Sequence, residues 1–188
     1  MRAVFLDKDG TLVEDAPYSA EPGGMRLAQG AGDALARLAG AGYALVVVSN
    51  QSGVARGFFA PSALRPMRVR LEELVAEAGV SLLDVAFCPH HPEGTVREYA
   101  RVCGCRKPAP GMLLGVAERH GIDLEGSWMV GDILDDVEAG RRAGCRTVLL
   151  CNGGETEWRF DRWRLPDAFA LDLGRAARAV LGEEGRHG

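Results

Sequence analysis

Two stretches of the sequence carry residue types whose spacing could do chemistry. Near its start the chain reads VFLDKDGT from Val4 to Thr11, so that Asp7 and Asp9 are separated by a single lysine and followed by Gly10. Paired carboxylates at this spacing fit an acidic turn, a calcium loop, or a nucleophile and an acid sharing a divalent cation. The calcium loop fails, because it needs a third oxygen ligand and then a glycine where this chain has Thr11 and Leu12. In the catalytic use, Asp7 attacks phosphorus and Asp9 handles the proton, while the metal neutralises the charge between them. Taken alone, the stretch fits the acidic turn equally well. Further on, Cys88, His90, Cys103 and Cys105 form C-x-H-x12-C-x-C. Thiolate and imidazole donors at this spacing suit tetrahedral zinc, with His91 an alternative to His90, and four protein ligands leave no open position, which makes the metal structural.

Three further positions extend the first stretch. Ser49 and Asn50 end an apolar run and open SNQSGVARG, where a hydroxyl and backbone amides can hold phosphate oxygens. Lys107 follows the cysteine segment and precedes PAPG, and beside a phosphate site it becomes an oxyanion clamp. In SWMVGDILDD, Asp132 ends another apolar run and offers an oxygen ligand to Mg²⁺. Asp135 and Asp136 lie one turn later, where they suit either that metal or a helix N-terminus.

Such residues need a frame that brings them together, and the chain alternates strand and helix patterns throughout. The run before Asp7 reads as a strand covered on both faces, and Gly10 allows the turn after it. Leu12 to Gln29, with Pro17, Pro22, Gly23 and Gly24, is too irregular for a helix and could line a substrate entrance. Ala31, Ala34, Leu35 and Leu38 fall at helical spacing up to Gly40 and Gly42, before a strand from Tyr43 to Ser49. Ser62 is placed to cap a second helix that carries Leu71, Leu74, Val75 and Ala78 on its apolar side. Leu82 to Phe87, the run before Asp132, Thr147 to Cys151 and Ala168 to Leu171 complete the strands. Helices follow PAPG up to Gly121, run through Val137, Ala139, Gly140 and Ala143, and close the chain near Arg175 to Leu181. EWRFDRWRLP reads as an amphipathic surface cover, and Cys145 and Cys151 as core thiols.

Composition narrows the class. At 188 residues, with 47% apolar and 26% charged side chains, the sequence suits one well-buried globular domain spanning 1–188. A net charge of −4 leaves no basic stripe for nucleic acid, and no apolar run reaches membrane length. With no leader pattern at the start, and with cysteines grouped beside histidines, the expectation is a cytoplasmic metal-binding protein without disulfides.

The ordered set of DKDGT, strand-end Ser49, Lys107 and the Gly-Asp pair at Asp132 resembles the four motifs of the haloacid dehalogenase superfamily of phosphohydrolases. SNQSGVARG and the CPHHP…CGCRKPAPGM segment resemble, more narrowly, the families of heptose bisphosphate 7-phosphatases and histidinol-phosphate phosphatases. The resemblance implies an α/β, Rossmann-like three-layer sandwich whose central parallel sheet has the first strand in its middle, without a large cap domain and with a zinc-binding loop. It further implies a nucleophilic Asp7, an acid-base Asp9, Mg²⁺ held by Asp7, the Asp9 backbone carbonyl and Asp132, and phosphoryl oxygens bound by Ser49 and Lys107. Substrate contacts implied in the same way are Asp15, Ala16, Pro17, Tyr18, Ser49, Asn50, Gln51, Ser52, Arg106 and Lys107. The implied partner is a small phosphorylated sugar met by a monomer, with histidinol phosphate as the alternative. Ile133 departs from the pattern, since many relatives carry a basic residue directly after the Gly-Asp pair. Two other functions stay in view: a zinc-stabilised binding module, which a missing nucleophile or acid would favour, and a phosphatase of nucleic-acid ends, which the acidic net charge disfavours.

Overall fold

In a computed structural model that describes residues 1–14 and 21–183, the apolar runs lie side by side as one six-stranded sheet. The strands are β1 (Ala3–Leu6), β2 (Ala44–Asn50), β3 (Asp84–Cys88), β4 (Trp128–Gly131), β5 (Arg146–Leu150) and β6 (Ala168–Ala170). The helices are α1 (Ala31–Gly40), α2 (Leu64–Glu77), α3 (Gly111–His120), α4 (Leu134–Ala143) and α5 (Leu173–Leu181). Every pairing is parallel, and the spatial order is β3-β2-β1-β4-β5-β6. Winding therefore reverses at β1, which opens a crevice beyond its carboxyl end, the usual ligand position in open α/β sheets.

The sequence explains why β1 takes the middle. All four of its residues are buried, as a strand covered on both faces must be. Val4 and Leu6 face a core shared with α1, α2 and α5, whereas Ala3 and Phe5 face one shared with α3 and α4. Full burial of side chains such as Val4, Phe5 and Leu6 stabilises by about 1.5–3 kcal/mol each. Register then delivers the chemistry. Leu6 pairs with Val47 on one side and Val130 on the other, and the Asp7 amide donates to the Val130 carbonyl at 2.9 Å. Asp7 and Asp132 consequently leave adjacent strands at the same edge. On α4, a Cβ at Gly140 would lie 2.6 Å from Met129 Cβ and 2.8 Å from Thr147 Cγ2, so glycine lets this helix sit directly on β4 and β5.

Three expectations from sequence need correction. Ser62 does not cap α2: it lies in a 3₁₀ turn (Pro61–Ala63) that runs straight into the helix, and no side-chain cap bond forms there. Such a turn supplies i→i+3 bonds of its own, as in Ala63 N to Ala60 O at 3.0 Å. β3 begins at Asp84, two residues later than the apolar run suggested, with Leu82 packed at the margin of the core. α5 begins at Leu173, because the Asp172 carboxylate accepts from the Arg175 amide at 2.7 Å and caps the helix early.

Candidate active site

At the crevice, Asp7 from the end of β1, Asp132 after β4 and Asp136 in the first turn of α4 bring carboxylate oxygens within 4.8 Å of one another. Asp7 and Asp132 are buried and Asp136 is 0% exposed, which makes three crowded acids expensive unless positive charge faces them. One cation is built in. Lys107 Nζ lies 2.5 Å from Asp7 Oδ1 and 2.6 Å from Asp136 Oδ1, and donates to the Val48 carbonyl at 3.0 Å. Burial works against this ammonium, but Asp136 and Asp7 outweigh it and raise its pKa. Burial, reinforced by Asp7 and Asp136, pushes Asp132 up to about 8, and burial likewise raises Asp136. Three carboxylates against one ammonium leave a surplus of negative charge that a divalent cation would balance.

Asn50 shows how β2 serves this arrangement. Its amide accepts from Lys107 N at 3.0 Å and donates to Lys107 O at 3.1 Å, so the end of β2 grips the peptide that presents the lysine. Ser49 is buried beside it, and its hydroxyl accepts from Gln51 Nε2 at 2.9 Å. The same Gln51 nitrogen donates to Asp9 Oδ2 at 3.2 Å. Asp9 Oδ1 pairs with Lys8, and burial raises the Asp9 pKa although Lys8 opposes the shift. The Asp9 carboxylate thus stands apart from the three acids that could hold a metal. Gly10 and Gly154 both approach Asp132 so closely that a Cβ at either would collide with its carboxylate.

Arg106 donates to the His90 carbonyl at 3.4 Å, and Ser52 is half-buried at the turn after β2. Asp15, Ala16, Pro17 and Tyr18 lie outside the described residues. Asp135 and Asp136 were both left undecided by the sequence: Asp136, in the first turn of α4, faces the same crevice as Asp7 and Asp132. Asp135 points elsewhere, toward Arg164 at 2.8 Å, and Arg164 also reaches Glu138 at 2.7 Å. Those contacts give EWRFDRWRLP a use. Through Arg164 it straps α4, and the residues just before it add to the hold: Glu155 accepts from the Leu134 amide at 2.6 Å, while Asn152 donates to the Gly10 carbonyl at 2.5 Å.

Beside the crevice, Cys88 closes β3 and meets Cys105 at 3.1 Å, Cys103 at 3.6 Å and His90 Nδ1 at 3.6 Å. Cys105 lies 3.2 Å from Cys103 and 3.4 Å from His90 Nδ1. These sulfurs are too far apart for disulfides, whose S–S bond is about 2.05 Å. They are close to the edge of a tetrahedron around zinc, about 3.8 Å for Zn–S bonds of about 2.3 Å. Burial raises the Cys88 thiol well above its ordinary value, with Cys105 adding to the effect, so it rests as a neutral thiol and a bound cation would be needed to hold it as thiolate. His91 is engaged elsewhere: Arg56 meets its Nε2 at 3.1 Å and the Glu93 amide donates to its Nδ1 at 3.1 Å. Cys145 and Cys151 stay out of the cluster, and burial pushes Cys145 up to about 12.

Comparison with known proteins agrees with this geometry. A HAD-hydrolase-like family model matches residues 104–176. The D-glycero-beta-D-manno-heptose-1,7-bisphosphate 7-phosphatase of Escherichia coli K12 is 42% identical over 153 residues, covering 81% of this chain and 80% of the relative. Its counterpart in Salmonella typhi is 41% identical over 81% of each chain. Among solved structures, a HAD-like phosphatase from Mesorhizobium loti superposes with a TM-score of 0.82 at 36% identity, covering 96% of this chain and 86% of that one. The D,D-heptose 1,7-bisphosphate phosphatase of B. bronchiseptica, complexed with magnesium and phosphate, gives 0.78 at 31% identity, covering 97% of this chain and 99% of that one.

Proposed function

The chain belongs to the heptose bisphosphate phosphatases among the haloacid dehalogenase-like hydrolases, and on that premise we propose that it removes the 7-phosphate of D-glycero-D-manno-heptose 1,7-bisphosphate through an aspartyl phosphate. The observation that carries the reading is the separation of labour at the crevice: Asp7 is gripped by Lys107 among the metal-facing acids, and Asp9 is held apart with a neighbouring cation of its own.

In the first step an Asp7 oxygen bonds to phosphorus as the bond from phosphorus to the sugar oxygen breaks, and Asp9 gives that oxygen its proton. In the second, Asp9 takes a proton from the water that attacks the aspartyl phosphate, releasing phosphate and restoring Asp7. Lys107 and the Ser49 hydroxyl stand where the phosphoryl oxygens arrive, so positioning and charge neutralisation do most of the work. Mg²⁺ fits the surplus negative charge of the acidic trio, with Asp7, Asp132 and the Asp9 backbone carbonyl as ligands and Asp136 directly behind them. Bound there, it would neutralise charge on the transferring phosphoryl group. Zinc fits Cys88, His90, Cys103 and Cys105 and would hold the loop that presents Arg106 and Lys107. Arg106, with Asp15 to Tyr18 and Gln51 to Ser52, would face the sugar and its second phosphate, a charge suited to a bidentate guanidinium. A cytoplasmic place of action accords with the free thiols, which a reducing compartment preserves.

The test is phosphate release from the two heptose bisphosphate anomers and from histidinol phosphate, at matched low concentrations with Mg²⁺. The relatives are named for the β anomer, which should show the largest kcat/KM. If histidinol phosphate wins by about tenfold, roughly 1.4 kcal/mol of transition-state preference, the assignment is wrong.

A further inference from the structure

Lys8 sits between the two catalytic aspartates, and its side chain is 3% exposed, an unusual place for a lysine to be enclosed. A buried ammonium needs a counter-charge, and two carboxylates flank it in sequence. Asp7 is already taken by Lys107 on the far side of the strand end. Among the described residues, Lys8 Nζ bonds to Asp9 Oδ1 and to no other acceptor. The other oxygen of the same carboxylate, Oδ2, accepts from Gln51 Nε2 at 3.2 Å, and Gln51 is anchored in turn on Ser49 Oγ at 2.9 Å. The site therefore assigns one lysine to each aspartate and closes the second pair with a neutral amide.

We infer that Lys8 and Gln51 are positioning residues for proton transfer, holding the Asp9 carboxylate away from the acidic trio by one oxygen each. Lys8 anchors Oδ1 through a full charge, so that oxygen stays an acceptor throughout. Oδ2, held by the weaker neutral bond, carries the proton that passes to the leaving sugar oxygen and later receives one from the attacking water. If the grip on Oδ1 is lost, only the neutral Gln51 bond to Oδ2 holds Asp9 apart from Asp7, Asp132 and Asp136. The inference rests on the reading of Asp9 as the proton carrier, and the experiment separates the two.

The measurement is the single-turnover rate of leaving-group release, with enzyme in excess, for a sugar phosphate and for p-nitrophenyl phosphate. An alkoxide must be protonated as it departs, whereas nitrophenolate leaves without help. Lys8→Met keeps the volume and removes the charge. It should slow release from the sugar phosphate by about 10–100-fold, the scale of a misplaced catalytic group, and nitrophenolate release by less than about threefold. Lys8→Arg should restore most of the difference. Asp9→Asn should show the same split more strongly. If Asp9→Asn splits the two substrates and Lys8→Met slows both equally, the positioning inference falls while the acid stands. If Asp9→Asn shows no split, the reading of Asp9 itself falls and the inference with it. Should Lys8→Met not fold, Lys8→Gln, which also removes the charge, is judged by the same split, and equal slowing of both substrates overturns the inference.

Discussion

Cys88, His90, Cys103 and Cys105 all come from the end of β3 and the loop after it, whereas Asp7, Lys107, Asp132 and Asp136 are gathered from β1, the approach to α3 and the β4–α4 turn. The first cluster can be closed by a short stretch of chain, but it brings no lysine or arginine of its own to balance the thiolates that a metal would require. The second needs the whole sheet to exist, but once assembled it carries its own ammonium in Lys107. The difference separates two uses of metal. In the thiol loop a cation would hold structure. In the crevice the sheet already holds structure, and a cation would serve the reaction.

The sharpest way to break that contrast is to remove Asp7, the proposed nucleophile. Asp7→Asn should abolish phosphate release, given that enzymes supply about 8–23 kcal/mol of barrier lowering, with thermal stability and zinc content close to those of the parent. Substantial Mg²⁺-dependent turnover by the purified variant would refute the mechanism. Next in size is the thiol loop. Elemental analysis of freshly prepared protein should find one zinc per chain, and Cys103→Ser should lose it. Structural zinc contributes on the order of 10–16 kcal/mol in small peptides, but in a larger domain the loss should fall nearer 2–5 kcal/mol, seen as a lower denaturation midpoint. A parent protein with no zinc would erase the distinction. Gly154→Ala tests the crevice from its wall. The new methyl group must displace Asp132, so Mg²⁺ should be needed at higher concentration, while stability falls by only about 1–3 kcal/mol.

The smallest effect is expected at Asp84, at the opposite end of β3 from Cys88. Burial works against its carboxylate, but hydrogen bonds from Arg119, His120 and the Val85 amide pull its pKa down to about 2. A carboxyl group depressed on folding contributes stability that is fully present above the unfolded value near 3.8 and is lost as pH falls through about 2. Asp84→Asn should therefore cost about 1–2 kcal/mol at neutral pH, allowing for solvent screening. The difference from the parent should shrink between pH 4 and 2, as equilibrium unfolding would show. Unchanged zinc content and turnover at pH 7 would confirm that this clamp, which ties α2 and α3 to the sheet edge through Arg68 and Arg119, is independent of both clusters.

What could be read from the sequence follows the same division. The grouping of the thiols was legible because they lie close together in the chain and their type is rare, and the structure sets His90 beside the three sulfurs while His91 meets Arg56 and Glu93. The strands were legible to within about two residues, because a doubly covered strand is a plain apolar run. The inward turn of Asp136 was not, since it depends on how α4 is rotated over β4, and that is set by packing at Gly140. The enclosure of Lys8 was not legible for a similar reason: a charged residue at a strand end is ordinarily solvated, and its burial follows from neighbours far away in the chain. EWRFDRWRLP was recognised as a cover, but what it covers depends on partners such as Asp135 and Glu138 that the pattern does not name.

The central place of β1 also orders the events of synthesis. A chain made from its amino terminus produces β1 first and β2 soon after, but β4, the neighbour on the other side, emerges only with Trp128–Gly131. Until then one edge of the most apolar strand has no partner, the kind of exposed template that invites pairing with other chains. The thiol loop, complete by Cys105, is available to close while the acidic crevice does not yet exist. A nascent chain stalled just short of Trp128 would thus carry a finished thiol loop and an unfinished sheet, making the interval between the two the period of greatest exposure to aggregation.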